Sequence, residues 1–502
     1  MATTGNKREL RRNLTVWQAV GMSIALMAPS MAANINPQQT ATTVGRAVPL
    51  SFLLASIAIL LVSYGFVRLC QYYQHAGSVY AFVGSTLGPR TGVVSGLCLL
   101  ATYTFYGVVT SSAFGILGSS FLEQIGVWHS PSRWAPFLLA AIALVGALWL
   151  TIIPARRGTT TLLVIEGATV FLILLVSAVV LVRLLAHSVP DGGTQSFTLD
   201  VFAPQAGTSA SLLFLGIVFG FLSFAGFEAS ATLGEETAHP HRDIPRAILG
   251  TAIFGGLYFT VVTAIEMMGF GSGSDGVKKF VASGSLAGDL GTTYVGAWAG
   301  DLVSLGAAIS AFGCCLACTV GAARMLFAMN RDLVGTTGLS KVTRHYTPGR
   351  AATLVIALMI VIYIVSISLG GATATNTFAW SGTIGTLLIL VAYVLTTVGS
   401  IRLVFVQRKM RVPMWQVVIP LAALVMLVYT LYRNVIPFPT SGAAMWFPIV
   451  SGAIVVAAII AVLAAPQAAS RLGANLAAEE GIMTRHEPAG VQADAAVDVA
   501  HG

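Results

Sequence analysis

Charge is what this chain lacks. Only 9% of its 502 residues are Asp, Glu, Lys or Arg, against roughly 25% in an ordinary soluble domain. So little charge cannot cover a water-facing globule, and the chain is too apolar for a disordered polymer. Cysteine is sparse as well. The five residues Cys70, Cys98, Cys314, Cys315 and Cys318 exclude a disulfide-dense secreted domain. Most lie in apolar runs, where a free thiol behaves as a small hydrophobe. Cys315-x-x-Cys318 has no second Cys or His pair at metal spacing, so it reads as packing rather than as a redox or metal motif. The eight histidines are mostly loop residues and form no ligand set. Gly271-x-Gly273-x-x-Gly276 has no strand before it, which rejects a dinucleotide fingerprint. No enzyme, catalytic residue, metal or cofactor is therefore expected.

What the chain has is apolar length. Apolar residues make up 56% of it, and its mean hydropathy is +0.83. A helical membrane span needs about 20 such residues. Apolar runs separated by short polar breaks place twelve spans near 16–38, 47–69, 92–120, 134–153, 159–186, 209–234, 245–270, 299–328, 350–370, 375–400, 413–434 and 444–465. The expected fold is an all-α polytopic membrane protein. Residues 1–15 are expected to be a short N-terminal segment, 16–465 the transmembrane domain and 466–502, rich in Ala, Glu and Asp, a disordered tail. No cleavable signal peptide is evident.

The net charge of +8 does not form a nucleic-acid patch, because the basic residues sit at the ends of apolar runs. With twelve spans, both termini and 21 Lys and Arg fall on one side, among them Lys7, Arg8, Arg156, Arg157, Arg246, Lys409 and Arg411. The other side receives six: Arg46, Arg133, Arg183, Lys278, Lys279 and Arg433. Basic loops stay inside, so the termini are expected to be cytoplasmic and the protein multi-pass in the cell membrane.

Two spans carry interruptions. The first reads Met27-Ala28-Pro29-Ser30-Met31, with a proline that cannot donate an N–H. The sixth reads Phe224-Ala225-Gly226-Phe227-Glu228, with a glycine and a carboxylate at mid-depth. They are five spans apart, and paired broken helices in corresponding positions of two halves point to an inverted repeat with a site between them. Irregular backbone survives at membrane depth only where it faces protein or a water-filled cavity. A proline kink and a packing glycine would be the plainer account, but the pairing favours a site. A channel would need polar rings along a continuous pore, and the sequence offers two local breaks instead.

The stretch Gly226-Phe227-Glu228, then Glu235-Glu236, then Ile244-Pro245-Arg246-Ala247-Ile248 resembles the signature of the amino acid–polyamine–organocation permeases. His75-Ala76-Gly77-Ser78-Val79-Tyr80 with Leu87-Gly88-Pro89, and Arg324-Met325-Leu326-Phe327 with Tyr346-Thr347-Pro348, are similar to that family's loop after the second span and its end of the eighth. The resemblance covers residues 12–465. It implies a leucine-transporter-like fold of two inverted five-span repeats plus two extra spans, and transport by alternating access. Many members carry a Gly-Ser-Gly type break in the first span. Met27-Ala28-Pro29-Ser30 looks like a subgroup that includes amine and polyamine importers.

A broken helix exposes N–H groups at the start of its second half and carbonyls at the end of its first. The N–H groups after Ala28-Pro29-Ser30 suit a carboxylate, and the carbonyls of Phe224 to Phe227 suit an ammonium. The resemblance implies the same division. The candidate substrate site is thus Met27, Ala28, Pro29, Ser30 and Met31 with Phe224, Ala225, Gly226 and Phe227; Phe221, Phe224 and Phe227 would shape the pocket or a gate. Carboxylates at membrane depth are costly and usually functional. Glu166, in span 5, is a candidate for proton coupling or ammonium contact, and Glu228 for bracing the break or binding an amine. Glu266 is nearer the outer end of its span, where it is expected to reach water, and is left outside the site. Span 8 offers Ser310 and Thr319 but no adjacent Ser/Thr pair, and its thiols are poor ligands for a hard cation. Protons or exchange are favoured over sodium. The expected function is secondary transport of amino acids, coupled to protons; an amine or polyamine (putrescine-like) permease or exchanger is the alternative. Glu235, Glu236, Arg242, Asp243 and Arg246 could serve as an inner latch.

Overall fold

In hydrocarbon a backbone amide has no water to bond, so each spanning segment must satisfy its own ladder. Every long apolar run of this chain does so as an α-helix. The computed structural model describes residues 15–73, 78–153, 156–204, 208–233, 237–333, 347–440 and 442–464. The segment 1–14, the tail 466–502, His75-Ala76-Gly77, Glu235, Glu236 and Tyr346 lie outside the described residues.

The helices in chain order are α1 (Val16–Met27), α2 (Pro29–Val44), α3 (Val48–Tyr72), α4 (Ser78–Leu87), α5 (Pro89–Gln124), α6 (Ala135–Ile152), α7 (Arg156–Leu185) and α8 (Ala210–Phe224). They continue with α9 (Pro240–Phe270), α10 (Ser274–Ala282), α11 (Leu286–Tyr294), α12 (Ala297–Leu333), α13 (Gly349–Gly370), α14 (Ala374–Ile401), α15 (Val418–Val435) and α16 (Trp446–Ala464). Among the described residues eleven stretches are long and apolar enough to cross a membrane. The first, Val16–Tyr72, has 57 residues. That is about 86 Å of helix at 1.5 Å per residue, against a hydrocarbon core of about 30 Å. It therefore supplies two crossings, broken at Gly45–Ala47, and the bundle has about twelve.

Packing puts the two interrupted spans at the centre. α2 lies on α8, and α1 lies on the short 3-10 turn Ala229–Leu233 that follows α8. The first half of one broken span thus meets the second half of the other, in both directions, as an inverted pair would. α3 packs along α9, and α5 along α12 and α14. α15 and α16 sit at the edge, with Val425 68% and Ile460 59% exposed. Apolar side chains so exposed form a lipid-facing surface.

Local chemistry explains each break. α1 begins at Thr15, where a capping box with Gln18 satisfies the first amides. It ends because Pro29 has no N–H to continue the ladder. Ala28, between the halves, adopts φ 45°, ψ 60°, the left-handed region that a Cβ disfavours. Pro29 then opens α2 at a position where its fixed φ suits a first helical residue. α8 ends at Phe224, and Gly226 takes φ 102°. A Cβ on Gly226 would lie 2.7 Å from Leu26 Cβ, so only glycine lets the two breaks approach.

One span boundary differs from its expectation. The first span was expected to stop near residue 38, but α2 runs through Pro37 to Val44. Its polar residues find partners inside the bundle. Asn36 donates to Ser223 Oγ (2.7 Å), Gln38 to the Ser283 carbonyl (2.7 Å) and Thr40 to the Gly216 carbonyl (3.2 Å). Hydropathy alone counts such residues as a stop.

These geometries set opposite stability effects. Ala28→Gly relieves the left-handed strain and should raise stability by about 1 kcal/mol, whereas Gly226→Ala should lower it by more. Thermal unfolding of the purified protein in detergent measures both. An Ala28→Gly protein that melts no higher, or a Gly226→Ala protein that melts no lower, would contradict the account.

Candidate functional site

The N-terminal end of α2 is where the sequence placed a substrate carboxylate, and in the structure a carboxylate is already there. The Ser30 N–H donates to Glu166 Oε1 at 2.9 Å. The Met31 N–H donates to Ser310 Oγ at 3.3 Å. Glu166 comes from α7 and Ser310 from α12, so three spans converge on one helix end. The free amides and the helix dipole both favour an anion there, and a charge-assisted hydrogen bond of this kind contributes roughly 1.5–3 kcal/mol.

The end of α1 is occupied by softer groups. The Cys314 thiol donates to the Leu26 carbonyl at 3.0 Å. Ser23 ties the two breaks together: its hydroxyl donates to the Phe227 carbonyl (3.0 Å) and accepts from the Ser230 N–H (3.1 Å). Met27 and Phe224 both rest on Gly255 of α9. Met27, Ala28, Pro29, Ser30, Met31, Phe224, Ala225, Gly226 and Phe227 are all buried, so this conformation holds the site closed to solvent. Phe221 is buried too, which removes lipid contact as an explanation for the three phenylalanines.

Glu228 lies on the other flank of the break. Tyr393 of α14 donates its hydroxyl to Glu228 Oε2 at 2.9 Å, while Glu228 Oε1 has no hydrogen-bond partner. Phe66, Phe227 and Tyr393 stack edge to face around it, with ring centroids 5.5–5.7 Å apart. The structure thus gathers Ser30, Met31 and Glu166 at one end of the site, and Phe227 and Glu228 at the other.

One reading changes. Glu266 was expected to reach water, but it is 1% exposed and neither carboxyl oxygen has a partner. Position along a span gives depth but not face, and α10 and α11 fold over the end of α9. Ser310 and Thr319 were weighed as cation ligands. Ser310 is engaged as described, and Thr319 bonds the Cys315 carbonyl within its own helix. Of the proposed latch, Arg242 and Arg246 are exposed.

The sequence reading missed Asn34. Its Oδ1 accepts from the Ser285 hydroxyl (2.7 Å), the Ala287 N–H (3.0 Å) and the Gly288 N–H (3.3 Å). An amide on the broken helix therefore caps α11 and fastens the 274–294 segment to α2. Beyond it, a cleft of about 530 Å³ includes Ser119, Glu123, Arg133, Asp289 and Thr373 in its lining. Burial raises the Asp289 carboxyl above its ordinary value, and the Ser283 hydroxyl, 2.6 Å away, opposes that.

A helical bundle with two facing broken spans, a closed site between them and apolar outer faces defines a multi-pass membrane transporter rather than an enzyme. The chain belongs to the amino acid permease family: the family described as "Amino acid permease" matches residues 14–478. The low-affinity putrescine importer PlaP of Escherichia coli (strain K12) is 26% identical over 331 residues, 64% of this chain and 68% of that protein. The branched-chain amino acid permease BcaP of Bacillus subtilis is 25% identical over 367 residues, 69% of this chain and 73% of that one. The human cationic amino acid transporter 4 is 27% identical over 240 residues, 45% of this chain and 36% of that one.

Asn34→Ala leaves three donors of the 285–288 turn without their acceptor, at a cost on the order of 1–3 kcal/mol. The Ala287 and Gly288 amides should then exchange hydrogen faster than in wild type. Unchanged exchange there would mean that α2 does not hold this segment.

Proposed function

We propose that the protein is a proton-coupled amino acid symporter of the cell membrane, with both termini cytoplasmic. The observation that carries this is the Glu166 carboxylate on the Ser30 N–H. An ionised Glu166 and a substrate carboxylate compete for the same amides, and two anions in one low-dielectric site repel strongly. A proton on Glu166 cancels its charge and weakens its hold on Ser30. The substrate carboxylate then takes the α2 amides, and its ammonium faces the carbonyls of the 224–227 break and Glu228. Substrate and proton enter together because each makes room for the other. The 21-to-6 division of Lys and Arg supports the orientation.

A second reading rests on its own observation. Glu228 Oε1 is buried without a partner, and a relative is a putrescine importer. A diamine has no carboxylate, so Glu166 could stay on its amides while Glu228 takes an ammonium.

Uptake into proteoliposomes with an imposed inward proton gradient separates these. A pool of labelled amino acids is tested in one series and labelled putrescine in another. Symport predicts concentrative amino acid uptake that a protonophore abolishes. Glu166→Gln should keep exchange of labelled for unlabelled substrate and lose the accumulation. Uptake of putrescine alone would establish the second reading, and gradient-driven accumulation by Glu166→Gln equal to wild type would sink the first.

A further inference from the structure

Away from the two broken spans, one cleft gathers charged groups that the transport chemistry above does not use. Its volume is about 530 Å³, within the range of small-molecule sites. The end of α5, the start of α6, the 282–289 segment and the start of α14 wall it. Gly284 lets the 282–289 segment close on α5, since a Cβ there would lie 2.5 Å from Ser120 Oγ. The same segment is fastened to α2, by Gln38 on the Ser283 carbonyl and by Asn34 on residues 285–288.

The charges in the cleft are of both signs. Arg133, just before α6, rests its guanidinium over the Trp134 ring, 4.6 Å from the centroid. Glu123 lines the cleft from the last turn of α5, and Asp289 from α11. Among the described residues, no ion pair joins Arg133 to either carboxylate. Asp289 accepts from the Ser283 hydroxyl at 2.6 Å and from the Gln124 amide at 3.4 Å, and an ionised carboxylate has lone pairs for further donors. α14 begins in the same wall, where Thr373, Ala374 and Thr375 line the cleft. The Thr373 hydroxyl caps the Asn376 N–H at 3.2 Å. The two amides before Asn376 are among those that a helix cannot satisfy from its own ladder. Ser119 completes the set. It is 6% exposed, it lines the cleft, and its hydroxyl has no hydrogen-bond partner. Elsewhere on α5 the hydroxyls of Ser95, Thr102, Thr110 and Ser111 bond carbonyls of their own helix.

This arrangement selects a ligand by its charges. A dicarboxylate would meet Glu123 and Asp289 as like charges, and a diamine would meet Arg133 as one. A compound with one ammonium and one carboxylate finds an opposite charge for each end. The planar guanidinium and the first amides of α14 suit the carboxylate. Glu123 and Asp289 suit the ammonium.

We propose that this cleft is a second binding site for an amino acid in its zwitterionic form, separate from the site between the broken spans. The inference rests on the amino acid reading of the function and adds a second place, on the side of the bundle where α2 ends, that the same substrate occupies. Arg133 and the start of α14 hold the carboxylate, Glu123 and Asp289 hold the ammonium, and Ser119 supplies a hydrogen bond.

Equilibrium binding of a labelled amino acid that the protein transports, to the full chain in lipid nanodiscs, counts the molecules bound per chain. Wild type should bind two. Arg133→Gln and Glu123→Gln, both at exposed positions, should each bind one, the remaining site keeping its affinity to within about twofold. Ser119→Ala should keep two sites and weaken one of them about tenfold, the loss expected of one hydrogen bond to a charged group. Wild type that transports the amino acid but binds one molecule per chain would overturn the second site and leave the transport reading standing. So would variants at Arg133 and Glu123 that both bind two with wild-type affinities. Wild type that transports putrescine and no amino acid would overturn the transport reading, and this ligand with it.

Discussion

The structure depends on one contact: a carboxylate from α7 on the first free amides of α2. A helix that stops and restarts inside a membrane leaves backbone donors that must be satisfied. Glu166 satisfies Ser30, and Ser310 satisfies Met31. Without these partners the break that Pro29 imposes would be an orphaned polar end in an apolar bundle. With them, the amides that the proposed function assigns to a substrate carboxylate are held by side chains of α7 and α12. In the proposed function stability and recognition draw on the same donors, so Glu166 and a substrate carboxylate would compete for them.

The rest of the centre serves that contact. Pro29 ends one helix and begins another, and Ala28 bears the left-handed geometry between them. Gly226 allows the partner break to come within van der Waals reach of Leu26. Ser23 and Cys314 occupy backbone groups of the breaks without adding charge. On the far side, Asn34 joins the second half of the first span to the turn at 285–288.

Much of this was legible in the sequence. Apolar runs long enough to cross a bilayer located the spans to within a few residues, because nothing else can bury so many apolar side chains. Pro29, and Gly226 beside Glu228, marked the breaks because their backbone chemistry is local. What the sequence could not reveal is tertiary. Glu166 was visible as a costly membrane carboxylate, but that it sits on the Ser30 amide depends on how α7 packs. The extension of α2 to Val44 depends on partners in α8 and in the 283–288 segment. Glu266 was assigned to water from its depth alone; depth does not reveal which face of α9 it lies on, nor that the nine-residue helices α10 and α11 pack against α9.

The central claim is that Glu166 and the substrate carboxylate exclude one another unless a proton intervenes. Calorimetric titration of the purified protein with its amino acid substrate, repeated in buffers of different ionisation enthalpy, counts protons taken up on binding. The account predicts net proton uptake with binding in wild type, and none in the Glu166→Gln protein. Binding to wild type with no proton uptake at a pH where Glu166 is ionised would contradict it.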